Sequence, residues 1–260
     1  MTIFVGTCGW SYKEWVGPFY PQGIRPSIGY YSNFFNAVEI DSTYYAIPTV
    51  SAFESMLKKM SGRLRVSVKI PSIITHNRNN GNDADSSEFM ENIVKQLRKL
   101  HSESPLLFTV PPWIGIEDLD RYMEYILSQL DHTSWIFAEI RHFPLSDMMK
   151  ASSILEKNGI NMCYTDNALN KLSIFSLNQR DAYIRLHGRN PEFGKPGTGM
   201  EKFLYRYERE TLNSLIETVK GEIHKFQNIY LFFNNHPQGN AAQNGMYVSE
   251  VMGASRQSTL

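Results

Sequence analysis

Short apolar runs alternate with stretches of helical spacing from one end of the chain to the other. Runs rich in β-branched and aromatic residues occupy 3–8, 37–41, 65–70, 106–110, 135–140, 160–165, 182–187 and 228–233, which predicts eight strands. Between them apolar positions recur every three to four residues, the spacing of one helix face. Phe53, Met56, Leu57 and Met60 mark one face, entered through Thr49 with Ser51 and Glu54 spaced as a capping box. Phe89, Ile93, Val94, Leu97 and Leu100 mark another, after a polar loop at 76–86. Leu119, Tyr122, Met123, Ile126 and Leu130 mark the next. A helix near 146–157 should stop at the Asn158-Gly159 cap, one should carry Leu212, Leu215, Ile216, Val219 and Ile223, and the last should cover 241–251. The connection 166–181 lacks helical spacing and is expected to be irregular.

Strands alternating with mostly helical connections give a parallel sheet and the α/β class. Eight strands close a (β/α)8 barrel of the TIM type, and 260 residues fit that fold. An open doubly wound sheet is the alternative. No linker, composition break or internal repeat appears. The expectation is a single domain over 1–253 and a flexible tail at 254–260.

The polar positions inside the strands carry more information than the apolar ones. Side chains alternate between the two faces of a strand. In 37–41, Val38 and Ile40 share one parity and Glu39 and Asp41 the other. Ser67 and Lys69 stand opposite Val66, Val68 and Ile70; Glu139 and Arg141 stand opposite Ala138 and Ile140. Tyr164 and Asp166, Arg185 and His187, and finally Asn234 and Asn235 close the later strands. In a parallel barrel the site lies at these carboxyl ends. Charges placed there either line a functional rim or pair with one another as structure.

Composition narrows the partners. Lys plus Arg and Asp plus Glu are both 26, so the formal net charge is +0. That argues against broad attraction to duplex nucleic acid or anionic membrane. No apolar run approaches a membrane span, and the N-terminus lacks the basic-then-apolar order of a signal peptide. Cys8 and Cys163 have no metal-like spacing and fall on non-neighbouring strands, which suits a reducing, cytoplasmic setting.

The rim residues suggest roles. Glu39 and Glu139 are acid/base candidates, and a glycosidase pair would require that neither be clamped by an arginine. Lys69 is a candidate amine catalyst or anion ligand, and His187 a proton shuttle. Arg141, Arg185 and Arg189 suit bidentate anion recognition. Asp41, His76, Asp166, Asn234 and Asn235 complete the binding set. The loops after strands seven and eight should offer exposed amides at Gly188 and around 235–240, where barrels of this type often hold phosphate. Trp10 and Tyr12, with Trp15, Phe19 and Tyr20, either stack on a ligand or plug a long loop. No cofactor is implied. A divalent metal stays open, because His76, Glu139, Asp166 and His187 are metal-capable types without diagnostic spacing.

The same segments carry a family resemblance. Gly6-Thr7-Cys8-Gly9-Trp10-Ser11-Tyr12, Gly17-Pro18-Phe19-Tyr20-Pro21 and Val38-Glu39-Ile40-Asp41-Ser42-Thr43-Tyr44-Tyr45 open the series. Thr75-His76, Pro111-Pro112, Ala138-Glu139-Ile140-Arg141-His142, Arg185-Leu186-His187-Gly188-Arg189 and Phe233-Asn234-Asn235 follow in order. The chain thereby resembles the domain of unknown function 72 family, also called YecE-like. Cys8 departs from the family's usual Ser and Asp41 from its usual Asn. The segment after strand seven lacks some of the family's aromatics. The resemblance implies a (β/α) barrel and brings no catalytic assignments.

The reading reached is an enzyme whose strand-end pocket acts on a small anionic or sugar-like substrate by acid/base chemistry. The rivals are a protein that binds or processes single-stranded nucleic acid, stacking bases on Trp10, Tyr12 and Trp15, and a non-catalytic protein whose ion pairs are structural.

Overall fold

A computed structural model of the chain describes residues 1–76, 91–92, 95–96, 104–130, 135–175, 178–193, 195, 197 and 199–254. All eight expected strands are present: β1 Thr2–Thr7, β2 Ala37–Ile40, β3 Arg65–Lys69, β4 Leu106–Thr109, β5 Ile136–Glu139, β6 Asn161–Asn167, β7 Asp181–Gly188 and β8 Asn228–Phe233. They form one sheet in the order β1-β8-β7-β6-β5-β4-β3-β2. Neighbouring strands pair in parallel: Thr2 lies opposite Asn228, Asp181 opposite Asn228, Leu106 opposite Ile136, and Phe137 opposite Asn161. The two ends of that order meet where Gly9 N–H donates to the Glu39 carbonyl at 2.8 Å, beside a parallel bridge between Cys8 and Glu39. This is the TIM-type (β/α) barrel that the strand count predicts.

By internal contacts the chain divides into two compact units, 1–39 with 164–260, and 40–163. The borders fall at β2 and β6 rather than in a linker.

The helices follow the apolar stripes. Val50–Met60 buries Phe53, Leu57 and Met60; Leu119–Ser128 buries Tyr122, Met123 and Ile126; Arg209–Glu222 buries Leu212, Leu215, Ile216 and Val219. Leu145–Lys157 ends at the expected cap, where Gly159 takes φ +68°. The segment after β6 has no helix among its described residues, as the spacing predicts. One expectation is corrected. The capping hydroxyl of Val50–Met60 belongs to Thr49, which accepts from Ala52 N–H at 3.3 Å, so the Ser51/Glu54 box does not form. Pro48 sets the chain extended into Thr49, and the first available hydroxyl takes the cap. Of the helix expected through Phe89–Leu100, residues 91–92 and 95–96 are described and are helical; the rest of it, the loop 77–86 and the tail 255–260 lie outside the described residues. No helix among the described residues is long and apolar enough to cross a membrane.

Candidate functional site

In the unit formed by 1–39 and 164–260, the strand ends are braced by ion pairs. Alternation along β2 turns Glu39 opposite Val38 and Ile40, and all three are fully buried. Tyr183 and Arg185 share one parity of β7 and both reach it. Tyr183 donates to Oε2 at 2.6 Å and Arg185 Nη2 to Oε1 at 2.8 Å, while that same nitrogen lies 3.3 Å from Cys8 Sγ. Burial first, and then the charge of Glu39, push the Tyr183 hydroxyl well above its ordinary range.

A second brace centres on Asp166 at the end of β6. Arg189 Nε and Nη2 fork onto it at 2.8–3.2 Å, Tyr207 donates at 2.8 Å, and Leu172 N–H at 2.9 Å. The paired hydrogen bonds it donates to Asp166 hold the Arg189 guanidinium above its ordinary range. Tyr207 also accepts from Gly188 N–H at 2.8 Å. Gly188 takes φ +88°, and a Cβ there would stand 2.4 Å from the Cβ of Tyr205, so glycine is required. His187 meets Asn234 through Nδ1 at 2.9 Å and packs against Phe193 and Phe203, with ring centroids 5.4 and 6.0 Å away. Asn235 donates to the Tyr205 carbonyl and to Asn244 Oδ1.

These contacts correct the expected anion clamp. Arg185 and Arg189 hold carboxylates of their own unit, and the Gly188 amide is bonded to Tyr207 rather than exposed. The aromatic loop is a plug. Trp15 is fully buried with its indole N–H on the His236 carbonyl, Tyr12 stacks on the His236 ring at 4.6 Å, and Tyr20 donates to the Trp10 carbonyl. Trp10 itself is half-buried.

The unit 40–163 carries a different cluster. Glu139, fully buried at the end of β5, accepts from Arg141 Nε at 2.8 Å and Thr109 at 3.0 Å. An arginine therefore clamps each of Glu39 and Glu139, which removes the basis for a glycosidase pair. Lys69, 6 % exposed at the end of β3, sets its ammonium over the Tyr44 ring at 3.9 Å from the centroid. The short helix Ser42–Tyr44 presents that ring, anchored by Thr43, which donates to the Lys69 carbonyl at 2.6 Å. The Tyr44 hydroxyl lies 3.2 Å from His76 Nε2, and Thr75 Oγ1 lies 2.8 Å from His76 Nδ1. Trp113, 43 % exposed, meets the His76 ring edge-on at 5.5 Å. Burial, then Lys69, then Arg141 depress the imidazole to about 4. Burial also raises the Tyr44 hydroxyl, against the pull of Arg141. Asp41 is half-buried at the start of the short helix.

Strand parity thus finds Glu39, Lys69, Glu139, Asp166, Arg185 and His187. It passes over Tyr44, Thr109, Tyr183 and Tyr207, the hydroxyls that complete each cluster. Tyr183 carried a usable signal, the parity it shares with Arg185 and His187. Tyr207 sits in an irregular segment and carried none. Among the described residues no group of three or more His, Cys, Asp or Glu side chains is placed to hold a metal ion.

A family model described as "Protein of unknown function DUF72" matches residues 4–260. The chain is 24% identical over 274 aligned residues to the UPF0759 protein YunF of Bacillus subtilis, an alignment covering 96% of this chain and 94% of that one. Among solved structures, a DUF72 family protein of Thermotoga maritima superposes with a TM-score of 0.81 at 28% identity, covering 97% of this chain and 100% of the other. A DUF72 family protein of Enterococcus faecalis superposes with a TM-score of 0.79 at 18% identity, covering 98% and 97%, and speaks to the fold alone.

Proposed function

The chain belongs to the DUF72 family, and from that premise we propose that it is an enzyme acting on a small anionic substrate, held by Lys69 and Arg141. The observation that carries this reading is geometric: the Lys69 ammonium lies over the Tyr44 ring, 3.9 Å from its centroid, and the Tyr44 hydroxyl lies 3.2 Å from His76 Nε2. Burial first, and then two cations, one on β3 and one just after β5, favour the neutral form of this half-buried imidazole. Glu139 is bound to Arg141, yet the field at His76 stays repulsive to a proton. A repulsive field for a proton is an attractive one for an anion. The chemistry around it is polar and reachable: Arg141 is 22% exposed and Trp113 stands at the edge. A bound anion would gain a guanidinium and an ammonium as donors.

The braces of the other unit support a structural reading of their charges, because Glu39, Arg185 and Asp166 are 0–1% exposed, Glu39 and Arg185 bond each other, and Asp166 is held by Arg189 and Tyr207. The plugged aromatic loop takes away the stacking platform on which the nucleic-acid reading rested. The two buried free thiols suit a cytoplasmic protein.

Calorimetric titration with inorganic phosphate tests the reading. The wild type should bind, and Lys69→Met should bind at least about tenfold more weakly, the loss of roughly 1.4 kcal/mol expected from one charged contact. Equal and negligible heats for both proteins would end the proposal.

A further inference from the structure

We infer that Tyr44 is the group that exchanges a proton with the bound substrate, and that His76 takes the proton Tyr44 gives up once an anion occupies the site. The inference rests on the anion reading above and adds the proton carrier that Glu39 and Glu139, clamped as they are, do not supply.

The step uses the His76 tautomer that carries its proton on Nδ1. Thr75 Oγ1, 2.8 Å from Nδ1 and 3.4 Å from the Pro71 carbonyl, then accepts from the imidazole and turns its own proton to Pro71. In that tautomer Nε2 offers a lone pair to the Tyr44 O–H at 3.2 Å. The Lys69 ammonium over the ring, 3.9 Å from its centroid, stabilises negative charge on the phenol oxygen as it develops. The groups acting on this pair are Lys69 from β3, Arg141 after β5, and Glu139 at the end of β5, which acts on Tyr44. Tyr122 and Tyr125 bond the carbonyls of Thr75 and Ile74 and fix the short helix Ser72–Thr75 beneath His76.

In the step, a substrate O–H or C–H bond breaks and its proton passes to the Tyr44 oxygen. The Tyr44 proton passes to His76 Nε2, and the electron pair stays on the substrate as an alkoxide or enolate. The imidazolium formed beside two cations is tolerable only with an anion between them, so binding and proton acceptance are coupled. The substrate class that fits is an anion bearing a hydroxyl or an acidic C–H close to its charged group, such as a phosphorylated or carboxylated sugar.

Sulfate is the probe, because its charge does not change between about pH 4 and 7. His76 is followed by its imidazole NMR signals and proton uptake by calorimetry in two buffers of different protonation heat. Saturating sulfate should raise the His76 titration from about 4 by roughly one unit or more. At pH 7, where His76 is neutral with or without the anion, His76→Gln should bind sulfate within about twofold of wild type, a change of less than roughly 0.5 kcal/mol; at about pH 4.5 the wild type should take up protons and bind more tightly than the variant, whose uptake is abolished. Tyr44→Phe should leave affinity similar while His76 titrates higher in the free protein, since a donor to its neutral form is gone. Sulfate that binds without moving His76, or uptake that persists in His76→Gln, overturns the inference and leaves the anion reading intact. No binding of sulfate or phosphate by the wild type overturns both.

Discussion

Two regions of one barrel use the same strand-end alternation to opposite ends. In the unit 1–39 with 164–260, Glu39 and Asp166 each meet an arginine and a tyrosine hydroxyl, and both carboxylates are fully buried. In the unit 40–163, Lys69 and Arg141 both act on a half-buried histidine that is driven to give up its proton. Charge at a strand end is therefore ambiguous by itself. What separates a brace from a site is whether a neighbour is left electrostatically uncomfortable. Tyr183 and Tyr207 each add a hydrogen bond to a carboxylate already held by an arginine. His76, held neutral by burial and then by two cations, would be relieved by an anion.

The hardest way to break this contrast is to remove a brace. Glu39→Ala leaves Arg185, 1% exposed, without its carboxylate. Breaking a buried pair on one side costs about 3–5 kcal/mol. A thermal melt should fall by roughly 2–4 °C for each kcal/mol in a protein of this size. The double substitution Glu39→Leu with Arg185→Met should recover most of the loss, because a matched apolar pair replaces a matched ionic one. If Glu39→Ala melts like the wild type, Glu39 is not a brace and the contrast collapses.

Much of this architecture is written locally in the chain. The strands are legible because runs such as Val66, Val68 and Ile70 keep strict parity, and a one-residue slip would turn Lys69 into the opposite face. The helices are legible from stripes such as Leu212, Leu215, Ile216 and Val219. The start of Val50–Met60 was misplaced because Thr49 and Ser51 are both competent capping hydroxyls, and only the backbone path chooses between them. The acids and bases of the site were legible for the same reason as the strands. Their pairing was not. That Arg185 reaches Glu39, 146 residues away in the chain, depends on the closing of β1 and β2, which no local pattern encodes. Tyr44 was hidden for a chemical reason: its ring reads as core, and its hydroxyl matters only beside His76.

A pH series separates two further terms. The His76 and His236 imidazoles are both depressed from 6.5 to about 4, in each case with burial as the first cause. The unfolded chain then takes up protons before the folded one does. The stability they contribute is fully present above pH 6.5 and is lost as pH falls toward 4. For His236, 3% exposed and stacked on Tyr12, the slope approaches about 1.4 kcal/mol per pH unit within that window. His236→Gln should flatten this part of the acid limb in urea melts. Sulfate should protect the His76 contribution and leave that of His236 unchanged. Equal protection of both by sulfate would mean that the anion does not discriminate between the two units.

The smallest effect is expected at Asp181, a buried carboxylate at the opening rather than the end of β7. Its Oδ1 accepts from the backbone and side-chain nitrogens of Asn228 at 3.0 Å, and its contact with Arg180 is long at 3.4 Å. Burial outweighs these partners and raises its carboxyl above the ordinary range. A raised folded value means that protonated Asp181 favours the fold and that this contribution is lost as pH rises through the folded pKa. Asp181→Asn keeps an acceptor for Asn228 and removes the charge. It should change stability at pH 7 by less than about 1 kcal/mol, in the stabilising direction, and the gain should shrink near pH 3. Chemical denaturation at the two pH values reads this directly. A loss of several kcal/mol would instead make Asp181 a third brace, and would show that tight pairing in this unit extends along β7 rather than marking its carboxyl end.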